Sequence, residues 1–128
     1  MLNDVMMNVK DAKYRDKLMQ FAIRMVKLKN YLNEQMHEYN IADQIQRSGM
    51  AVGALHREAT YAESDLDFIH KLSIAQKECN ETLYWLELLK ATGYLDETQF
   101  ASLYQDAEEI MHMLTASIVT TKKRLNKQ

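Results

Sequence analysis

The chain has 128 residues, is 47% hydrophobic, carries a formal net charge of −2, and contains three glycines, one cysteine and no proline. That length suits one domain, and so few turn-forming residues argue against sheet-rich or loop-rich folds. A lone cysteine excludes an internal disulfide, and the near-neutral charge gives no overall pull toward nucleic acid.

The first apolar stripe reads Leu18, Phe21, Met25, Leu28, Leu32, Met36 and Tyr39. Steps of three and four are the seam of a bundle helix, expected over residues 14–38, with a weakly patterned and loose opening dozen. Asn40 is the expected cap of a second helix over 41–61, with seam positions Ile41, Ile45, Ser48, Val52, Leu55 and Ala59. Ser64 is placed to cap a third helix over 65–92, whose first turn carries Asp65 and Asp67 at the positive end of the dipole. Its seam runs Phe68, Leu72, Ala75, Cys79, Leu83, Leu86 and Leu89, and Gly93 is a natural left-handed stop. Asp96 with Gln99 three residues on resembles a capping box. A fourth helix over 97–125 follows, with Phe100, Leu103, Ala107, Ile110, Leu114, Ser117, Thr121 and Leu125 along its seam. Four amphipathic helices with short joints predict one all-α domain over 1–128, an antiparallel up-down-up-down four-helix bundle.

The second helix holds an unusual stretch, "QIQRSGMAVGALHREA", with Gly49 and Gly53 four residues apart. Glycine costs about 1 kcal/mol against alanine in a helix, so it repays its place only where another backbone comes close. Two readings stand: dense packing within one chain, or a face for another subunit. Folding the second helix back on the third brings Arg47 level with Glu78 and Gln44 level with Glu81. Members of each pair of positions are three apart on one helix, so a partly buried polar clasp across the hairpin is expected.

No motif points to catalysis. Glu34-x-x-His37 and Glu109-x-x-His112 have di-iron spacing, yet helix phase turns them outward, so no metal or other cofactor is expected. His56 and His70 read as packing or surface groups, and Cys79 as a buried thiol with no histidine to activate it. The nine methionines fall mainly at seam positions or near the start, as core filler. Tyr84 and Trp85 are adjacent and cannot both face the core, so one marks a second packing surface.

Charge is segregated along the chain. Residues 10–29 hold seven cations, including Lys13, Arg15, Lys17 and Arg24, against Asp11 and Asp16. The tail adds Lys122, Lys123, Arg124 and Lys127 with no acid. An up-down-up-down bundle gathers both groups at one pole, partly offset by Glu58, Glu63, Asp65 and Asp67. Such a pole is either a solvated surface or a weak contact for RNA or DNA through Lys13, Arg15, Lys17, Arg24, Lys122, Lys123 and Arg124. No basic segment followed by an apolar run opens the chain, and no apolar run approaches the ~20 residues of a bilayer span, so a cytoplasmic protein with no membrane partner is expected.

The stretch above, followed by "SDLDFIHKLSIAQKECNETLYWLELLKATGYL", resembles the four-helix-bundle family of 23S rRNA intervening-sequence proteins. The similarity covers about residues 18–120 and rests on Gln44, Arg47, Ser48, Val52, Glu58, Ala59, Ser64, Phe68, Ala75, Glu78, Glu81, Leu86 and Gly93-Tyr94-Leu95. One departure lies at Ala51, Leu55 and His56, where the family carries Ser and then Asn-Ile. The resemblance implies a ring, a homopentamer, related to the accessory variability determinant of diversity-generating retroelements. It implies fold and assembly rather than an activity. The expected function is therefore a non-enzymatic self-assembling bundle that binds RNA or DNA at a basic pole. The alternative is a scaffold that docks a protein partner.

Overall fold

The computed structural model describes the backbone of residues 2–127 and the side chains of residues 12–127. Four helices account for nearly all of it: α1 (Leu2–Glu34), α2 (Asn40–Ala59), α3 (Asp65–Ala91) and α4 (Glu97–Asn126), with no strand among the described residues. Each helix packs beside the one before it, while α4 closes on α1 with few close backbone approaches. Thr82 meets Ser48, and Arg124 meets Asp65, so α2–α3 and α3–α4 are antiparallel neighbours.

The core is built from one stripe per helix. Leu18, Phe21, Met25, Leu28 and Leu32 of α1 face Ile45, Val52 and Ala59 of α2. Leu72, Ala75, Cys79, Leu86 and Leu89 of α3 and Leu103, Ala107, Ile110, Leu114 and Ile118 of α4 complete it. Three seam positions differ from the sequence pattern. Ile118 rather than Ser117 is buried on α4, Thr82 is buried while Leu83 is only half-buried on α3, and His56 rather than Leu55 faces inward on α2. In each case the helix turns by four where the pattern allowed three, or the reverse, and the two polar side chains buried as a result, Thr82 and His56, find partners inside. Thr82 donates to the Glu78 carbonyl at 2.9 Å, and its hydroxyl is also hydrogen-bonded to that of Ser48 at 2.9 Å. The His56 ring meets Tyr14 edge-on, centroids 6.4 Å apart.

Helix ends follow local chemistry. Gly93, at φ 85°, ends α3: its N–H donates to the Lys90 carbonyl and the Tyr94 N–H to that of Leu89, a Schellman pair. Asp96 and Gln99 form the full reciprocal capping box on α4, and Ser64 accepts from the Asp67 N–H on α3. The first helix departs from expectation at both ends. It begins at Leu2, because residues 2–34 contain neither glycine nor proline to stop it. It ends at Glu34, where His37 takes a left-handed φ of 53° and turns the chain, so Met36 and Tyr39 fall outside it. Asn40 does not cap α2. The buried Glu38 carboxylate does, accepting from the N–H groups of Ile41 and Ala42 at 2.8 Å each. An anion there also answers the helix dipole.

The two glycines of α2 have different surroundings. A Cβ on Gly49 would stand 2.4 Å from Met25 Cγ and 2.7 Å from its sulfur, in a core where Met25 is fully buried. A Cβ on Gly53 would meet Leu18 at 3.6 Å, an ordinary contact. Gly49 is thus a packing requirement of the α1–α2 seam. Gly49→Ala is expected to destabilise the chain by about 1–2 kcal/mol, overpacking outweighing helix propensity. Gly53→Ala is expected to stabilise it by about 0.5–1 kcal/mol. Paired urea unfolding curves check both signs.

Candidate interaction surfaces and their charges

Among the described residues ion pairs bridge every neighbouring pair of helices, including Lys29–Asp43 at 3.1 Å between α1 and α2 and Arg124–Asp65 at 2.7 Å between α3 and α4; two groups are larger. Between α2 and α3, the Arg47 guanidinium donates to Glu78 at 3.3 Å and to Glu81. Both pairs reach along one face of α3, so the register across this hairpin is marked by a single arginine. The clasp is open to water, with half of the Arg47 side chain exposed, and Gln44 points into solvent outside it. The reason is that positions 44 and 47 straddle the edge of the seam, and only the longer side chain spans the gap to α3.

Between α1 and α4 the network is denser. Lys17 Nζ reaches Asp106 at 3.2 Å and Glu109 at 2.7 Å. Arg24 pairs with Asp106 at 2.6 Å and donates to the Ser102 hydroxyl and carbonyl at 3.0 and 3.4 Å. Burial by itself would raise the Asp106 carboxyl, but hydrogen bonds and charge from Arg24 and Lys17 hold it below its ordinary value of 3.8. The hydrogen bond to Lys17, with its charge, likewise lowers Glu109. Asp106 escaped the sequence reading, and Glu109 enters it only by its spacing to His112, not as a partner of Lys17. Their one signal is spacing: Lys17 and Arg24 seven apart on α1, and Ser102, Asp106 and Glu109 at steps of four and three on α4. That signal is readable only once α1 and α4 are known to be neighbours.

The seven cations assigned to nucleic acid therefore divide. Lys17 and Arg24 are bound to α4, and Arg124 is paired with Asp65 at 2.7 Å. Lys13, Arg15, Lys122 and Lys123 are exposed at the end of the bundle where α2 turns into α3, while Lys10 and Asp11 lie outside the described side chains. Beside them a cleft of about 980 Å³ opens between α1 and α2. Met19, Ala22, Met50 and Gly53 line its floor, and Arg15, Arg57, Glu58 and Asp67 are on its rim. Met19, Ile23 and Val26 continue along the outer face of α1 as an exposed apolar stripe, with exposed Met50 across from it on α2.

Chemistry-bearing groups are scattered. His37 lies beyond the end of α1, Glu109 is held by Lys17, and Glu34 and His112 are exposed; no trio of His, Cys, Asp or Glu is grouped to hold a metal among the described residues. Among those residues no helix is long and apolar enough to cross a membrane. Tyr84 is exposed and Trp85 half-buried, packed edge to face at 4.9 Å. Cys79 is fully buried, donates its S–H to the Ala107 carbonyl at 3.3 Å, and is pushed up to about 12 by burial.

A four-helix bundle with this core, cap set and external clasps defines a class of small all-helical proteins. The chain matches the family model of 23S rRNA-intervening sequence proteins over residues 10–116, and it belongs to that family. It is similar to a solved protein of unknown function from the S23 ribosomal protein family of Bacteroides thetaiotaomicron. The two share 46% identity with a TM-score of 0.81 over 82% of this chain and 97% of the other. No curated protein matches.

Two outcomes follow from the ion pairs and the thiol. Lowered carboxyls in the folded state add stability above their unfolded pKa, which is lost as pH falls through the folded value. Asp106→Asn is expected to cost up to about 1 kcal/mol near pH 7 and to flatten the acid loss below about pH 4, in urea titrations across pH. Cys79 is expected to react with a disulfide reagent only as fast as the protein unfolds, since the thiolate is the nucleophile and burial disfavours it; a stopped-flow thiol assay checks this.

Proposed function

We propose that this protein is a non-enzymatic, cytoplasmic, self-assembling bundle, arranged as a homopentameric ring, that holds RNA or DNA against its basic ends. The observation that carries the reading is the exposure of Lys13, Arg15, Lys122 and Lys123 together at one end of the bundle. Arg57 and Lys71 add to them, Glu58, Glu63 and Asp67 offset part of the charge, and Asp65 is taken up by Arg124. Lys17, Arg24 and Arg124 serve the fold in this reading, which leaves four of the seven expected cations, Lys13, Arg15, Lys122 and Lys123, for the contact.

Self-association has its own support in the stripe Met19, Ile23 and Val26 with Met50, apolar groups in water on two adjacent helices. A ring repeats the basic end around its axis, so a weak patch on one chain becomes a multivalent one. Phosphate contacts of this kind are electrostatic and carry no base sequence.

Fluorescence anisotropy with a structured RNA and with duplex DNA tests the contact at about 50 mM salt, where such binding is strongest. The expected result is micromolar binding that weakens steeply with salt, with Lys122→Glu/Lys123→Glu reducing the log–log salt slope by about 2. Salt-independent or absent binding overturns it and favours a protein-docking scaffold. Light scattering that finds a 15.0 kDa species overturns the ring.

A further inference from the structure

A second, smaller hollow lies away from the basic end, in the seam between α1 and α4 beside the α3–α4 turn. It is an open groove of about 210 Å³, equal to about seven waters at ~30 Å³ each. Its floor is leucine: Leu28 from α1, Leu95 from the turn and Leu103 from α4. Its polar lining comes from Arg24, Lys27, Tyr31 and Gln99, with no carboxylate among the lining residues.

The polar lining is chemically one-sided. Gln99 uses its amide oxygen to accept from the Asp96 N–H, which turns its NH2 into the free end. Among the described residues the Lys27 ammonium and the Tyr31 hydroxyl have no hydrogen-bond or ionic partner. Arg24 forms the fourth donor, partly neutralised by Asp106. Three acids of the α3–α4 turn and α4 are engaged elsewhere. Asp96 accepts from the Gln99 N–H, Glu97 pairs with Lys90 at 3.1 Å, and Asp106 is shared by Arg24 and Lys17.

We propose that this α1–α4 hollow binds a carboxylate carried on a short apolar body. The apolar part lies on Leu28, Leu95 and Leu103, with the Tyr31 ring beside it. The carboxylate receives the Lys27 ammonium, the Tyr31 O–H and the Gln99 N–H, with the Arg24 charge behind them. A neutral ligand of the same shape leaves those donors unmet, and a cation meets Lys27 and Arg24 head on, so charge sets the specificity. Two sources supply this chemistry: a free aryl or branched-chain acid, and the terminal carboxylate of a peptide ending in an apolar residue.

The hollow stands apart from the exposed cations of the basic end, so the site holds or fails independently of nucleic-acid binding. Amide chemical shifts on the intact protein test it, with 3-phenylpropionate, 3-phenylpropionamide and Gly-Gly-Phe as probes. The expected result is saturable shifts confined to residues 24–31 and 95–103, with a dissociation constant on the order of 1 mM for a ligand of this size. Lys27→Glu is expected to weaken binding at least about tenfold, and Lys27→Met less, with both variants melting like the parent because Lys27 is exposed. Tighter binding of the acid assigns a small molecule, and tighter binding of the peptide assigns a chain terminus; each supports the site. Equal binding of the amide, shifts spread outside the two segments, or unchanged affinity in Lys27→Glu overturns it.

Discussion

The bundle depends on one close approach. Met25 lies directly over Gly49, where even a methyl group would collide with its Cγ and sulfur, and this contact sets how near α1 comes to α2. From there the stripes of both helices mesh, and the rest of the packing inherits their spacing. Across α2 and α3 the alignment is marked twice, inside by the Ser48–Thr82 hydroxyl pair and outside by Arg47 on Glu78 and Glu81. A buried hydroxyl pair adds little net free energy, but a slip of either helix would leave both groups unmet in an apolar core.

Much of this architecture could be read from residues alone. The four stripes, the left-handed stop at Gly93, the caps at Ser64 and Asp96, and the pairing of Arg47 with α3 all follow from spacing that one helix or one hairpin contains. What escaped needed knowledge of a neighbour or of a turn. The apolar spacing of α1 continues through Met36 and Tyr39, yet His37 bends the chain before them. Asn40 has the better reputation as a cap, while Glu38, two residues earlier, has the longer reach and the charge. Gln44 has the phase of a clasp residue but not the length.

Charge taught the same lesson with more effect on function. Counted along the chain, seven basic residues pointed to one pole. In three dimensions Lys17, Arg24 and Arg124 face carboxylates of the same chain, and the surface left for an anionic partner is smaller and more local. Membership of the 23S rRNA-intervening sequence family accounts for the fold, and the solved relative carries no activity to transfer. Any function therefore rests on surfaces: the exposed cations, the apolar stripe of α1, and the donor-lined hollow at its far end.

The seam between α1 and α4 is unlike the other three. It has few close backbone approaches, and Lys17, Arg24, Asp106 and Glu109 bridge it. Seams closed by apolar contact draw their strength from dewetting, which carries a large heat capacity and grows weaker in the cold. A seam closed by partly hydrated ions carries little heat capacity and answers instead to ionic strength. Every seam carries some ion pairs, but the α1–α4 seam has the fewest close backbone approaches beside its ion network, so it is the wall whose closure answers most to ionic strength.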